Sequence, residues 1–107
     1  MFKNINKNEK IVLRDQVDYQ EGQVISKTLV QNEKVSLTIF SFDKGEEIST
    51  HASGGDALVT VLDGVGRFTV GGKVHLLKEG ETLIMPKDVS HAVYGQEKFK
   101  MLLLVSF

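Results

Sequence analysis

Apolar residues in this chain recur at every second position in short runs, and no stretch carries the three-to-four spacing of a helix face. The clearest run is Val35–Phe42, where β-branched and aromatic residues crowd together. Similar segments follow at 23–30, 57–62, 67–70, 73–77, 82–85, 92–94 and 99–107. Turn chemistry separates them. Asp63-Gly64 and Gly71-Gly72 read as two-residue hairpin turns, because both central positions of a type I′ turn take positive φ. Asp43-Lys44-Gly45 and Glu79-Gly80 mark further reversals. Short strands at roughly 8–12-residue spacing predict an all-β sandwich or barrel. The polar stretch Asn6–Asp15 has room for at most one helical turn. There is no internal repeat, linker or low-complexity tract, so residues 1–107 are expected to form a single domain. A chain of this size buries enough surface to hold one core without staples.

Charge and composition narrow the function classes. Lys and Arg number 13 against 14 Asp and Glu, and no basic cluster stands out. A nucleic-acid module usually shows a basic stripe, and an anionic membrane surface recruits clustered Lys and Arg, so neither partner is expected. With no cysteine, disulfides, thiol catalysis and zinc–thiolate sites are excluded. The N-terminal MFKNINKNEK has no apolar core of a secretory signal, and the longest apolar run, Met101–Val105, is far short of a bilayer span. The expected location is cytoplasmic.

Two segments carry a motif pattern. Gly45 is followed by five residues and His51, and Asp63-Gly64 comes later at a turn. Gly80 is followed by five residues, Pro86-Lys87-Asp88, two more residues and His91. This arrangement resembles the paired motifs of the cupin family. There the first motif runs Gly, five residues, His-x-His, three or four residues, Glu, six residues, Gly. The second runs Gly, five residues, Pro-x-Gly, two residues, His, three residues, Asn. The likeness covers about 45–64 and 80–95. It implies a double-stranded β-helix, the jelly-roll barrel of cupins. It also implies a pocket for a sugar, sugar acid or similar small molecule, and a homodimer in which residues 1–20 supply an N-terminal strand or dimerisation segment. The departures fall on the ligand set. Ser53 stands where the motif has its second histidine, Ala57 where it has glutamate, Asp88 where it has the Pro-x-Gly glycine, and Gly95 where it has asparagine. Of the three-histidine, one-glutamate metal set that the resemblance implies, His51 and His91 remain.

Strand alternation gives the same picture. His51 and Ser53 are expected on one face, as are Ala57, Val59 and Val61, while His91 shares an inner face with Val93. His51, Ser53, Ala57 and His91 are therefore the expected ligand pocket. The two histidines are candidate catalytic acid–base groups, or the holders of a divalent transition ion: Zn, Ni, Cu, Fe or Mn. Two neutral imidazoles leave the charge of such an ion uncompensated. Asp56 is the candidate third ligand, but only if a bulge after Ser53-Gly54-Gly55 re-aims it inward. His75 is expected on the barrel flank, and Met85 and Met101 as apolar fillers. The charges of 96–100 read as solvated surface.

Overall fold

The computed structural model describes all 107 residues. It contains seven strands and no α-helix: β1 (Val24–Gln31), β2 (Val35–Phe42), β3 (Glu47–His51), β4 (Asp56–Val70), β5 (Lys73–Lys78), β6 (Thr82–Met85) and β7 (His91–Ser106). All pairings are antiparallel. No helix is long and apolar enough to cross a membrane.

Two long strands organise the barrel. The first half of β4 lies between β6 and the last third of β7, which also pairs with β2 and through it with β1. The second half of β4 pairs with β5 and with the start of β7, where β3 adds on. Register shifts between Val61 and Asp63 and between Gly64 and Gly66 bend the β4–β7 ladder from one half into the other. The result is one continuous seven-stranded sheet folded so that its two halves face each other, the double-stranded β-helix that the motifs implied. Between them lies a core of Phe42, Ala57, Val59, Val61, Phe68, Leu77, Met85, Val93, Phe99, Met101 and Val105. At the corner, Phe99 stacks on Phe42 with centroids 4.6 Å apart and meets Phe68 edge to face at 5.9 Å. A Cβ on Gly66 would strike both the Phe99 and the Phe68 rings, so glycine is what lets the corner close.

Three expectations need correction here. Asp63-Gly64 is not a hairpin turn, because β4 runs on through it as a bulge. Gly64 has φ +72° and approaches the Lys98 carbonyl too closely for any side chain. A bulge glycine and a turn glycine make the same backbone demand, so the sequence signal is identical. Residues 1–20 form no strand; they contain a 3-10 turn at Leu13–Gln16 and lie over the outer face of the first half of the sheet. There Val17 packs with Leu29 and Ile39 in a second, smaller core, beside Ile5 and Leu13. This covering explains why β2 is apolar on both faces. Finally, Lys100 is buried rather than solvated, with its ammonium donating to the Arg14 carbonyl.

Candidate functional site

His51 ends β3 and His91 begins β7. Regular pairing from Ile48 opposite Val93 would bring Thr50 opposite His91. Instead a bulge between Ile48 and His51 inserts one residue, and His51 faces His91. Ile48 still packs against the core, so the bulge turns both side chains toward the interior side of the strand.

A tight turn sets His91 from the other side. Val89 N–H donates to the Pro86 carbonyl at 3.2 Å, with Asp88 in the left-handed region at φ +63°. Asp88 thus occupies the conformation that the motif's glycine would take, which aspartate tolerates better than most residues. The turn is tied down twice. Asp88 N–H donates to the Ser53 carbonyl at 3.0 Å, and Lys87 N–H donates to Asp56 Oδ1 at 2.9 Å.

These bonds settle where two candidate residues sit. Asp56 is exposed and its Oδ1 accepts from the Lys87 amide, on the face where plain strand alternation puts it. Ser53 lies past the end of β3, so alternation from His51 does not apply to it, and its Oγ takes the Gly55 amide at 3.3 Å. Ala57 is buried in the core opposite Met85. His75 is half-buried opposite Phe68, and no group of three His, Cys, Asp or Glu side chains converges anywhere in the chain. The one cavity, about 260 Å³, lies on the outer face between Val12, Leu13, Arg14, Leu62 and Glu79, away from the histidines.

What the fold does bring together is the histidine pair. The Nε2 atoms are 3.1 Å apart, with ring centroids at 4.3 Å and planes at 67°. His91 is buried at 4% exposure, whereas His51 is exposed. Each Nδ1 contacts the carbonyl two residues earlier: His51 with Ser49 at 2.9 Å and His91 with Val89 at 3.3 Å. A carbonyl only accepts, so each Nδ1 must carry a proton. Two neutral rings hold two protons, and both are then used. The Nε2 lone pairs face each other with nothing between them to donate. Three contacts thus share two protons, so the Nε2–Nε2 contact would need a third proton or another electron-pair acceptor to be satisfied. Burial pushes the His91 pKa below the usual histidine value, and the neighbouring His51 adds to this against the opposing pull of the Val89 carbonyl. The ring is therefore neutral at neutral pH, the form that ligates metal. The spacing also fits: two nitrogens about 2.1 Å from one ion stand roughly 3.0–3.4 Å apart at bond angles of about 90–110°. Backbone carbonyls on the far nitrogens are the usual outer support of ligating histidines.

The sequence reading found both histidines but missed these supports. Asp56 and Asp88 build the turn that aims His91, and the Ser49 and Val89 carbonyls fix the ring protons. The carbonyls leave no mark in side-chain identity.

Comparison with known proteins places the fold. No match was found among curated proteins. A conserved protein of unknown function from Streptococcus pyogenes superposes with a TM-score of 0.96 at 40% identity, over 98% of this chain and 92% of that one. A cupin superfamily protein from Desulfitobacterium hafniense gives 0.95 at 30% identity, over 100% and 98%. A cupin 2 conserved barrel domain protein from Leptotrichia buccalis gives 0.87 at 46% identity, over 88% of this chain and 46% of that one. The cupin domain model matches residues 38–107, the stretch that carries both histidines and their supporting turn. The chain belongs to the cupin family.

Proposed function

We propose that this protein binds a small oxygenated molecule through a divalent transition metal ion held by Nε2 of His51 and Nε2 of His91. The observation that carries the reading is the proton count: two facing lone pairs, each ring's other nitrogen committed to a carbonyl. Imidazole donors favour Zn²⁺, Ni²⁺, Cu²⁺, Fe²⁺ or Mn²⁺ over Mg²⁺ or Ca²⁺. Such an ion polarises a ligand oxygen when bound. The chain's own part is to present two ring nitrogens and to keep one side open, since His51 is exposed. Elemental analysis of untagged protein, with calorimetric titration of the five ions, tests this. Binding in the micromolar range or tighter supports it; folded protein that binds none of them sinks it.

One observation favours a second reading. The absence of a converging third donor suits a module that binds without turning over its ligand. A thermal-shift screen of sugars and sugar acids separates the two, because a hit whose turnover is lost in His91→Ala excludes the module. We also propose a homodimer. Leu104, Leu58 and Ile84 form an outward row across three paired strands, continuing from Leu37 at the edge of the smaller core, with Ile84 59% exposed. Light scattering at about 50 µM should give twice the chain mass if this row is covered; a monomer mass excludes it.

A further inference from the structure

Away from the histidine pair, the cavity of about 260 Å³ on the outer face combines apolar walls with a charged rim. Leu62 of β4 forms one wall, and Val12 and Leu13, where the N-terminal segment enters its 3-10 turn, form the other. Leu13 and Leu62 also pack against the smaller core, which fixes both walls. Arg14 comes from the turn and Glu79 from the reversal between β5 and β6. They meet through a single contact, Nη1 donating to Oε1 at 3.0 Å, and both side chains are about half exposed or more. The other guanidinium N–H groups and Glu79 Oε2 have no partner within the protein. An exposed pair of this kind stabilises little. The segment is held beside it by the Lys100, Tyr19 and Ser41 hydrogen bonds and by Val17 in the smaller core. The open donors and acceptor are thus available to a ligand.

We infer that this cavity binds a small apolar α-amino acid, of about the size of leucine. Charge decides the class. A simple carboxylate that reaches Arg14 is repelled by Glu79, and a simple amine that reaches Glu79 is repelled by Arg14. A ligand with both charges side by side matches the pair. Its carboxylate accepts from the open guanidinium N–H groups, and its ammonium donates to Oε2. In an amino acid the two groups sit on one carbon, about as close as the two side chains are to each other, so the ion pair need not break. Four charges then alternate in sign. The walls decide the third arm: Val12, Leu13 and Leu62 offer only apolar side chains, so it is aliphatic. The volume lies below the range of about 300–1,000 Å³ that suits larger ligands, which favours a single amino acid over a peptide. The site involves neither histidine and stands apart from the metal reading. Its walls belong to β4 and to the N-terminal segment, so the bound ligand ties one to the other.

The test is titration of the isotope-labelled full chain with L-leucine, followed by backbone amide chemical shifts. Three analogues take the ligand apart: isocaproate lacks the ammonium, isoamylamine lacks the carboxylate, and glycine lacks the side chain. Leucine should produce saturable shifts at Val12, Leu13, Arg14, Leu62 and Glu79, with a Kd on the order of 1 mM. It should bind about two- to fivefold more tightly than isocaproate or isoamylamine, the value of one exposed charge pair. Glycine should bind at least about tenfold more weakly, since it buries no side chain. Arg14→Gln should weaken leucine and spare isoamylamine, whereas Glu79→Gln should weaken leucine and spare isocaproate. Both positions are exposed, so the variants keep the fold. Equal affinity for leucine and the two single-charge analogues would overturn the inference, because the charge pair then selects nothing. Shifts confined to other residues, or none at about 50 mM leucine, would overturn it as well.

Discussion

Two polar clusters lie at opposite ends of this small barrel, and they are satisfied to different degrees. On the outer face, Tyr19 donates to Asp63 Oδ2 at 2.6 Å. Burial raises the Tyr19 pKa, and the Asp63 hydrogen bond and charge add to it, so the phenol keeps its proton. Lys98 and Lys100 place their ammonium groups over the Tyr19 ring at 5.2 and 4.8 Å, and Lys100 also donates to the Arg14 carbonyl. Ser41 Oγ donates to the Asp18 carbonyl at 2.7 Å. Tyr19, Ser41 and Lys100 each donate to an acceptor there, and together they hold residues 12–20 over the sheet. At the other end, the two neutral-ring protons of His51 and His91 cannot serve all three of their contacts. A closed polar network stabilises, whereas an open one is available for binding.

The largest expected effect breaks the open end. At an ion concentration about a hundred times its dissociation constant, metal should stabilise the wild type by about 2.7 kcal/mol, and His51→Ala by nothing. Thermal unfolding with and without Zn²⁺ reads this, and equal shifts in the two proteins would remove the histidine pair as the site. Next is the closed end. Lys100→Ala should lose about 2 kcal/mol in urea denaturation, because it removes a charged hydrogen bond and the packing of a buried stem. Amide exchange should rise along 12–20. An unchanged midpoint would mean that the segment is held by its apolar contacts alone. Tyr19→Phe should cost about 1 kcal/mol, one hydrogen bond, with Asp63 left to solvent.

The smallest effect sharpens the contrast through pH. The folded-state pKa of His91 lies below its unfolded value, so the unfolded chain binds more protons in the window between them. Metal-free stability is then complete above about pH 6.5 and declines as pH falls toward the folded pKa, by less than about 1.4 kcal/mol per pH unit. His91→Gln should flatten this slope in denaturation curves taken between about pH 5 and 7. A slope that persists in the variant assigns it to another group.

Much of the fold was legible because its signals are local. Gly71-Gly72 joins β4 to β5 with φ of +54° and +83°, as hairpin chemistry requires. Ala57, Val59 and Val61 are all buried, as alternation required. Local signals also misled: Asp63-Gly64 carries turn chemistry inside a continuous strand, and Lys100 sits in a run of charges yet is buried. In both cases a distant segment decides, β7 for the bulge and residues 12–20 for the lysine.

By itself the sequence determined the strand pattern, the placement of most turns, and the retention of two histidines where the family has four ligands. These follow from residue type and spacing, which act over a few residues. Only the tertiary structure decided that the histidines meet. A bulge in β3 moves His51 into line, a turn braced by Asp56 and Ser53 aims His91, and two carbonyls set the ring protons. Those devices are backbone geometry, formed between strands forty residues apart, and backbone is the same at every position of the sequence.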